Sequence, residues 1–289
     1  MSAPDDVAIS IQHLTKKFGS QTIWEDVTFD IPKGQISVIL GPSGTGKSVL
    51  LKHFVGLLKP TSGHVWVGDY DIPTLKEKEL FEVRKKFGVL FQDGALFGSM
   101  NIEDNVAFPL REHTDLSEGT IRALVQEKLE IVGLAGAEKK FPAEISGGMK
   151  KRAGLARALV LEPEILLFDE PDSGLDPVRT AFLNLLAVDL KNRLGPTIVI
   201  VTHHIETART IPDYIGLIFA RKLVTFDTRE NMLNSKLAVV TQFLTGSVEG
   251  PIGMSEEKDA GETASAPVAG NGAGAKKKGS GRKTAPKRS

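Results

Sequence analysis

The stretch Gly41-Pro42-Ser43-Gly44-Thr45-Gly46-Lys47-Ser48 follows the apolar run 37–40 and fits the pattern G-x-x-x-x-G-K-[ST]. No other feature constrains the fold as strongly, because such a loop belongs at the turn from a buried parallel strand into a helix. Its glycines let consecutive backbone N–H groups converge on phosphate oxygens. Lys47 supplies a compact cation to the β- and γ-phosphates, and Ser48 offers a hydroxyl to Mg2+. The helix that opens near Lys47 adds its positive end. A Gly-rich turn without a ligand has the same spacing, so the reading depends on what accompanies it.

A second element stands where a phosphate site needs one. In Ile165-Leu166-Leu167-Phe168-Asp169-Glu170, four apolar residues run into two carboxylates, so a buried strand delivers both acids at its C-terminal end. Asp169 is suited to holding Mg2+ through its water shell, and Glu170 to polarising an attacking water. A solvated strand end or a helix cap carries the same dipeptide when it stands alone. The third element, Ile145-Ser146-Gly147-Gly148-Met149, is followed by Lys150, Lys151 and Arg152 and a helix-forming run at 153–161. A Ser-Gly-Gly turn opening a helix is another anion-binding end.

From residue 7 to about 244, short apolar runs alternate with longer amphipathic segments, the pattern of an α/β domain. Runs at 36–40, 88–91, 165–168 and 197–201 predict buried strands followed by polar or Gly-rich residues, where ligands sit in such sheets. Residues 8–14 and 27–31 alternate apolar and polar, which predicts half-exposed antiparallel strands. Between Gln92 and Ser146 the period changes. Ile121, Leu124, Val125, Leu129 and Val132 recur at helical spacing behind Ser117, with Glu118 and Thr120 as further start signals. Strands at 214–220 and 222–226 follow, then a last helix carrying Leu237, Val240, Phe243 and Leu244.

Composition removes several kinds of chemistry. The 289 residues contain no Cys, which excludes disulfide frameworks, thiolate nucleophiles and Cys-based metal centres and fits a reducing compartment. Asp5 and Asp6 stand where an export signal needs basic residues and an apolar run. The longest apolar stretches, at 198–201 and 215–220, fall far short of the about 18 residues that span a bilayer. The formal net charge of zero is a sum of unlike parts. From Lys276 onward there are seven basic residues and no acidic one, so the preceding 275 residues carry a net −7.

The order of phosphate loop, Gln92, Ser-Gly-Gly, Asp169-Glu170, Asp176 and His203 resembles the ATP-binding subunit of ATP-binding-cassette (ABC) transporters over about residues 7–227. The resemblance implies an α/β fold: a P-loop NTPase of the ABC nucleotide-binding type over 7–245, with an antiparallel β subdomain and a helical subdomain inserted at about 95–160. Residues 246–289, poor in apolar side chains, are then a disordered tail, basic from 276. The family's roles pass to matching positions. Phe18 stacks on adenine, although a lone Phe also reads as core, and Gly41, Pro42, Ser43, Gly44, Thr45, Gly46, Lys47, Ser48 and Val49 bind the ATP phosphates. Ser48, Gln92 and, through water, Asp169 hold Mg2+. Glu170, His203, Gln92 and Lys47 are the catalytic set. Ser146, Gly147 and Gly148 contact the γ-phosphate of ATP bound to a second copy, and Asp176 lies in the loop crossing that dimer interface. His204 starts a helix.

Two positions depart from the family pattern. Met149 replaces a polar residue at the end of the signature turn, and Asp172 stands where Thr or Ser is common. A carboxylate beside Glu170 is expected to raise a carboxylate pKa by like-charge repulsion. The runs Ser-Gly-Gly-Met-Lys-Lys-Arg and Phe91-Gln92-Asp93-Gly94-Ala95-Leu96-Phe97 resemble one branch in particular, the ATPases of Mla/Mce-type lipid transporters, including the actinobacterial Mkl- or MceG-like group. That branch implies a homodimeric, ATP- and Mg2+-dependent ATPase, peripheral on the cytoplasmic face of the cell membrane. Its partners would be YrbE/MlaE-like permease subunits and MCE-domain lipid-binding proteins, and the basic tail would add attraction to anionic lipid. Another cargo, such as amino acids or drugs, would leave fold and chemistry unchanged. A nucleic-acid-linked ABC ATPase would carry two cassettes or long coiled coils, and this chain has one cassette and no heptads.

Overall fold

Runs such as Ile36-Ser37-Val38-Ile39-Leu40 are apolar on both faces and need cover above and below. The computed structural model describes residues 6–253 and provides that cover. In chain order the elements are β1 (Val7–Phe18), β2 (Gln21–Pro32), β3 (Ile36–Leu40), α1 (Lys47–Phe54), β4 (Ser62–Val67) and β5 (Tyr70–Asp71). There follow α2 (Glu77–Arg84), β6 (Phe87–Leu90), α3 (Ile102–His113), α4 (Glu118–Ile131), α5 (Gly147–Leu159) and β7 (Ile165–Asp169). The last are α6 (Pro177–Leu194), β8 (Thr197–Thr202), α7 (Ile205–Thr210), β9 (Tyr214–Phe219), β10 (Lys222–Thr228), α8 (Arg229–Leu233) and α9 (Ala238–Thr245).

Two sheets form. One is antiparallel, in the order β2-β1-β4-β5. The other runs β10-β9-β3-β8-β7-β6, parallel except for β10, which pairs antiparallel with β9. The five parallel strands release their following loops at one edge, so the segments after β3, β6, β7 and β8 are neighbours there. Period-two alternation divides the core. Ile36, Val38, Leu40, Leu166, Phe168, Ile198 and Ile200 join the cluster with α3, α4, α5 and α6. Ile39, Ile165, Leu167, Val199 and Val201 face the other way, onto α1 and the antiparallel sheet.

The helical region has a local logic. Ser117 Oγ accepts from the Thr120 N–H and caps α4, whose Ile121, Val125 and Leu129 face the core. Buried Asn105 on α3 holds the preceding loop: its amide donates to the carbonyls of Phe97, Met100 and Asn101, and its Oδ1 accepts from the Phe97 N–H. α5 begins at Gly147, earlier than the run at 153–161, because Ser146 caps it. It packs against α3 and α4 on one side and β6 on the other.

Other details also differ from the sequence reading. β4 was not among the expected strands; it opens on Ser-Gly-His and buries only Val65 and Val67. The chain also stays on the fold past Thr245. Gln242 Nε2 donates to the Ile252 carbonyl at 3.0 Å, and the Ile252 N–H returns a bond to Gln242 Oε1 at 2.7 Å. The expected tail, including its basic end from 276, otherwise lies outside the described residues. Among the described residues no helix is long and apolar enough to cross a membrane.

His53, on α1 beneath the phosphate loop, is buried. Its Nδ1 donates to the Val49 carbonyl at 2.6 Å, and its Nε2 has no partner among the described residues. Burial pushes its pKa down to about 4 from 6.5. The unfolded chain therefore binds a proton that the folded one excludes as pH falls below 6.5, so stability is lost across that window, by at most about 3 kcal/mol. A His53→Leu variant should show a smaller drop in urea midpoint between pH 7 and pH 5 than the parent protein, whereas equal drops would assign the acid sensitivity elsewhere.

Candidate active site

The chain must turn sharply where β3 ends and α1 begins. Gly44 and Gly46 take φ of +82° and +87°, open to glycine at no steric cost. Space forbids a side chain as well. A Cβ on Gly46 would lie 2.4 Å from Ile23 Cγ2 and 2.9 Å from Trp24 Nε1, and one on Gly41 would lie 2.7 Å from the Ile218 carbonyl oxygen. Fully buried Trp24 donates from Nε1 to the Gly46 carbonyl at 3.2 Å, so the antiparallel sheet braces the loop from outside. Thr45 Oγ1 closes it from within by donating to the Pro42 carbonyl at 2.9 Å.

Lys47 turns back under this loop. Its Nζ donates to the Gly41 carbonyl at 3.0 Å and the Pro42 carbonyl at 2.9 Å, and it lies 3.6 Å from Glu170 Oε1. An ammonium has three N–H donors, so two fix the loop and one is left on the carboxylate side. Burial lowers the Lys47 pKa, and the nearby carboxylates, Glu170 foremost, oppose that shift.

The carboxylates arrive from β7. Ser48 Oγ donates to Asp169 Oδ1 at 2.6 Å, joining the start of α1 to the end of β7. Burial raises the Asp169 pKa; Glu170 adds to the rise, while the Ser48 hydrogen bond works against it. Glu170 has φ of +45°, a strained value for a residue with a Cβ. Neighbouring backbone holds it there: its N–H donates to the Val201 carbonyl at 2.9 Å, and its own carbonyl accepts from the Ser173 N–H at 3.1 Å. Its Oε2 lies 3.5 Å from His203 Nδ1. The Glu170 carboxylate is thus set between a buried ammonium and a half-exposed imidazole.

Asp172 has hydroxyl partners of its own: its carboxylate is buried and accepts from Thr202 Oγ1 at 2.8 Å to both oxygens, and from Thr207 Oγ1 at 3.1 Å.

Other predicted residues stand at the margins of this centre. Gln92 Nε2 donates to Ser173 Oγ at 3.0 Å and makes no hydrogen bond with Ser48 or Asp169 among the described residues. The segment after it is tied to α5, where Arg157 donates to the carbonyls of Gly94 and Ala95. Ser146 Oγ accepts from the Met149 N–H at 3.3 Å and caps α5, with Gly147 and Gly148 in the first turn. Asp176 caps α6 by accepting from the Arg179 N–H at 2.9 Å. No hydrogen bond joins residues 146–148 or Asp176 to the phosphate loop among the described residues. Phe18 ends β1 with an exposed ring, and Lys16 Nζ lies 4.7 Å from its centroid. His204 stands at the start of α7, as expected, and its side chain makes no capping hydrogen bond.

Sequence reading missed Trp24 and Lys151. A lone Trp at an inward strand position reads as ordinary core, and Lys151, in a run of three basic residues, reads as solvated surface. The structure buries both.

Because φ and space at Gly46 both exclude a side chain, Gly46→Ala should weaken binding of a fluorescent ATP analogue by at least about tenfold, a barrier of one to three kcal/mol in strain alone. Unchanged affinity in a folded variant would mean that the loop has a second competent conformation.

Comparison with known proteins agrees with this geometry. The family model described as ABC transporter matches residues 24–173. A Mycobacterium leprae protein named "probable ribonucleotide transport ATP-binding protein mkl" is 62% identical over 256 residues, covering 89% of this chain and 74% of its own. The Haemophilus influenzae intermembrane phospholipid transport system ATP-binding protein MlaF is 44% identical over 244 residues, covering 84% and 92%. Among solved structures, cbiO1 of Clostridium perfringens, part of the ABC transporter complex cbiONQ, superposes with a TM-score of 0.74 at 28% identity, covering 83% of this chain and 96% of its own. The ATP-binding cassette MJ0796, in a dimeric post-hydrolysis state with ADP and Pi, gives 0.71 at 30% identity, covering 76% and 98%. With its phosphate loop, paired strand-end acids and capped Ser-Gly-Gly turn on such a frame, the chain belongs to the ABC transporter ATP-binding proteins and is an ATPase that powers transport.

Proposed function

We propose that this ATPase works as a homodimer on a Mla/Mce-type permease and powers the movement of a lipid across or between membranes. The observation that carries the chemistry is the bridge Lys47–Glu170–His203 at the edge of the parallel sheet. In the proposed reaction, Lys47 and the N–H groups of residues 41–49 hold the ATP phosphates, and Phe18 stacks on adenine. Glu170 orients and polarises the attacking water, and His203 reaches the γ-phosphate.

Mg2+ fits the residues present. Ser48 and Asp169 offer a hydroxyl and a carboxylate at one point, and no cluster of three or more acidic or His side chains forms a metal cage among the described residues. That small oxygen set suits an ion that keeps waters and binds substrate phosphates. Bound there, Mg2+ would neutralise charge on the transferring phosphoryl group. Gln92, now on Ser173, would join that shell when ATP and a second copy close the site. Residues 146–148 and Asp176 would face the partner copy's ATP.

The membrane partner has a candidate seat. A cavity of about 480 Å³ is lined by Phe81, Phe87, Phe91, Phe97, Phe108 and His113, and the rings of Phe81, Phe91 and Phe97 are exposed. It adjoins Gln92 through Phe91, so an apolar cytoplasmic segment of a permease seated there would sense the nucleotide site. MCE-domain proteins would complete the assembly, with the ATPase peripheral on the cytoplasmic face and its basic end adding attraction to anionic headgroups.

Cargo is the point on which the relatives' names divide. Lipid is favoured by the 44% identity to a phospholipid transport protein that this chain matches over 92% of its length. The second reading, ribonucleotide transport, is the one carried in the name of the 62% identical mycobacterial relative. Purified with its permease in vesicles, the complex should raise ATP turnover with phospholipid or fatty-acid cargo and not with ribonucleoside monophosphates. In the same preparation Glu170→Gln should bind ATP and close the dimer yet hydrolyse almost none. Stimulation by ribonucleotides alone would replace the lipid reading, and undiminished turnover by Glu170→Gln would remove the role given to that carboxylate.

A further inference from the structure

Outside the bridge Lys47–Glu170–His203, two buried charges grip one short segment. Lys151, on α5 four residues after the last glycine of the Ser-Gly-Gly turn but one, is 5% exposed. Its Nζ donates to the carbonyl of Pro171 at 2.7 Å and to that of Ser173. No carboxylate lies within ion-pair distance of it among the described residues. Between those two carbonyls stands Asp172, also 5% exposed, with its carboxylate on the hydroxyls of Thr202 and Thr207. Thr202 Oγ1 in turn accepts from the His204 N–H at 3.0 Å.

Segment 171–173 therefore has attachments on every side. Glu170 precedes it, and the Ser173 N–H donates back to the Glu170 carbonyl at 3.1 Å. Ser173 Oγ accepts from Gln92. Asp176 begins α6 three residues later. A lysine and an aspartate kept out of water without an ion-pair partner are costly to hold, and a Met or Thr would fill these places more cheaply. Burial lowers the Lys151 pKa, while the charge of Asp172 helps to keep the ammonium form. The arrangement is thus a relay of charged and polar contacts from the signature helix α5, through 171–173, to the end of β8 that carries His203.

We infer that Lys151 and Asp172 are positioning residues that tie the Ser-Gly-Gly turn to the Glu170 and His203 of the same chain. The inference rests on the proposed dimeric reading, in which that turn contacts the partner copy's ATP. Each chain then links two nucleotide sites: a displacement of α5 caused by ATP at one site pulls on Pro171 and Ser173 and resets Glu170 at the other. Asp172 passes the same displacement to Thr202 and thereby to His203.

The test is steady-state ATP hydrolysis by the full chain, with nucleotide binding and thermal melting measured alongside. Lys151→Met should lower kcat by about tenfold or more and bring the ATP dependence toward non-cooperative, while a fluorescent ATP analogue binds within about twofold of the parent affinity. Lys151→Arg, which keeps donors for both carbonyls, should recover cooperativity. Asp172→Asn, with Lys151 intact, should lower kcat in the same sense. Wild-type kcat and cooperativity in both Lys151→Met and Asp172→Asn would overturn the inference, as would losses that only track the unfolded fraction. Glu170→Gln run in parallel separates the layers: its retaining turnover would sink the underlying site reading, whereas its losing turnover while the other two variants do not sinks the relay alone.

Discussion

A charged group at the end of an apolar strand has to be kept charged, and the site depends on how this is done. Lys47 sits almost out of water beneath its loop, with two backbone carbonyls as acceptors and Glu170 3.6 Å away. Desolvation alone would favour the neutral amine. Carbonyl dipoles and carboxylates at the strand ends supply the opposing field, and they are present because β3, β7 and β8 run parallel and end together. The same strand ends place Glu170 between ammonium and imidazole. Its left-handed φ persists because Val201 and Ser173 hold its backbone on both sides.

The second sheet matters because it fixes the loop rather than because it touches phosphate. Trp24 belongs to the core shared by the antiparallel sheet and α1, yet its indole N–H ends on the Gly46 carbonyl. Packing and site geometry are one object at that point. On the opposite side, α5 plays the equivalent part for two segments: Gly94 and Gly154 allow close approach of the segment after β6, to which Arg157 donates, and Lys151 donates to the segment after β7. The nucleotide edge is held between a β layer and a helical layer, and each layer contributes a buried side-chain donor to loop carbonyls.

Much of this was legible in the sequence, for physical reasons that differ by element. The parallel strands announce themselves because burial on both faces demands unbroken apolar runs, and the phosphate loop because glycine is required wherever φ is positive and space is absent. Ser117 shows as a helix start because a hydroxyl before a helical period can accept from a free N–H of the first turn. The ends of the reading mark where side-chain partners, not residue types, decide. β4 alternates too weakly to separate from a loop, since only Val65 and Val67 are inward. Asp172 looks like a charge beside Glu170 until Thr202 and Thr207 are brought across from β8 and α7. Lys151 sits in a basic run that reads as surface, and only the fold turns it inward. Gln242 gives no hint that it will hold Ile252, because an amide's partners are set by chain return and not by pattern.

What the single chain does not join is as informative as what it does. The Ser-Gly-Gly turn and Asp176 are capped but share no hydrogen bond with the chain's own phosphate loop among the described residues, and in the proposed dimer they would complete the partner copy's site. Complementation measures this most directly. Lys47→Ala and Ser146→Arg proteins, each inactive alone, are mixed and assayed for ATP hydrolysis; their mixed dimer contains one site with both an intact phosphate loop and an intact signature turn. The account predicts that turnover reappears in the mixture. Dimers that form and stay inactive, or single variants that keep full activity, would contradict it.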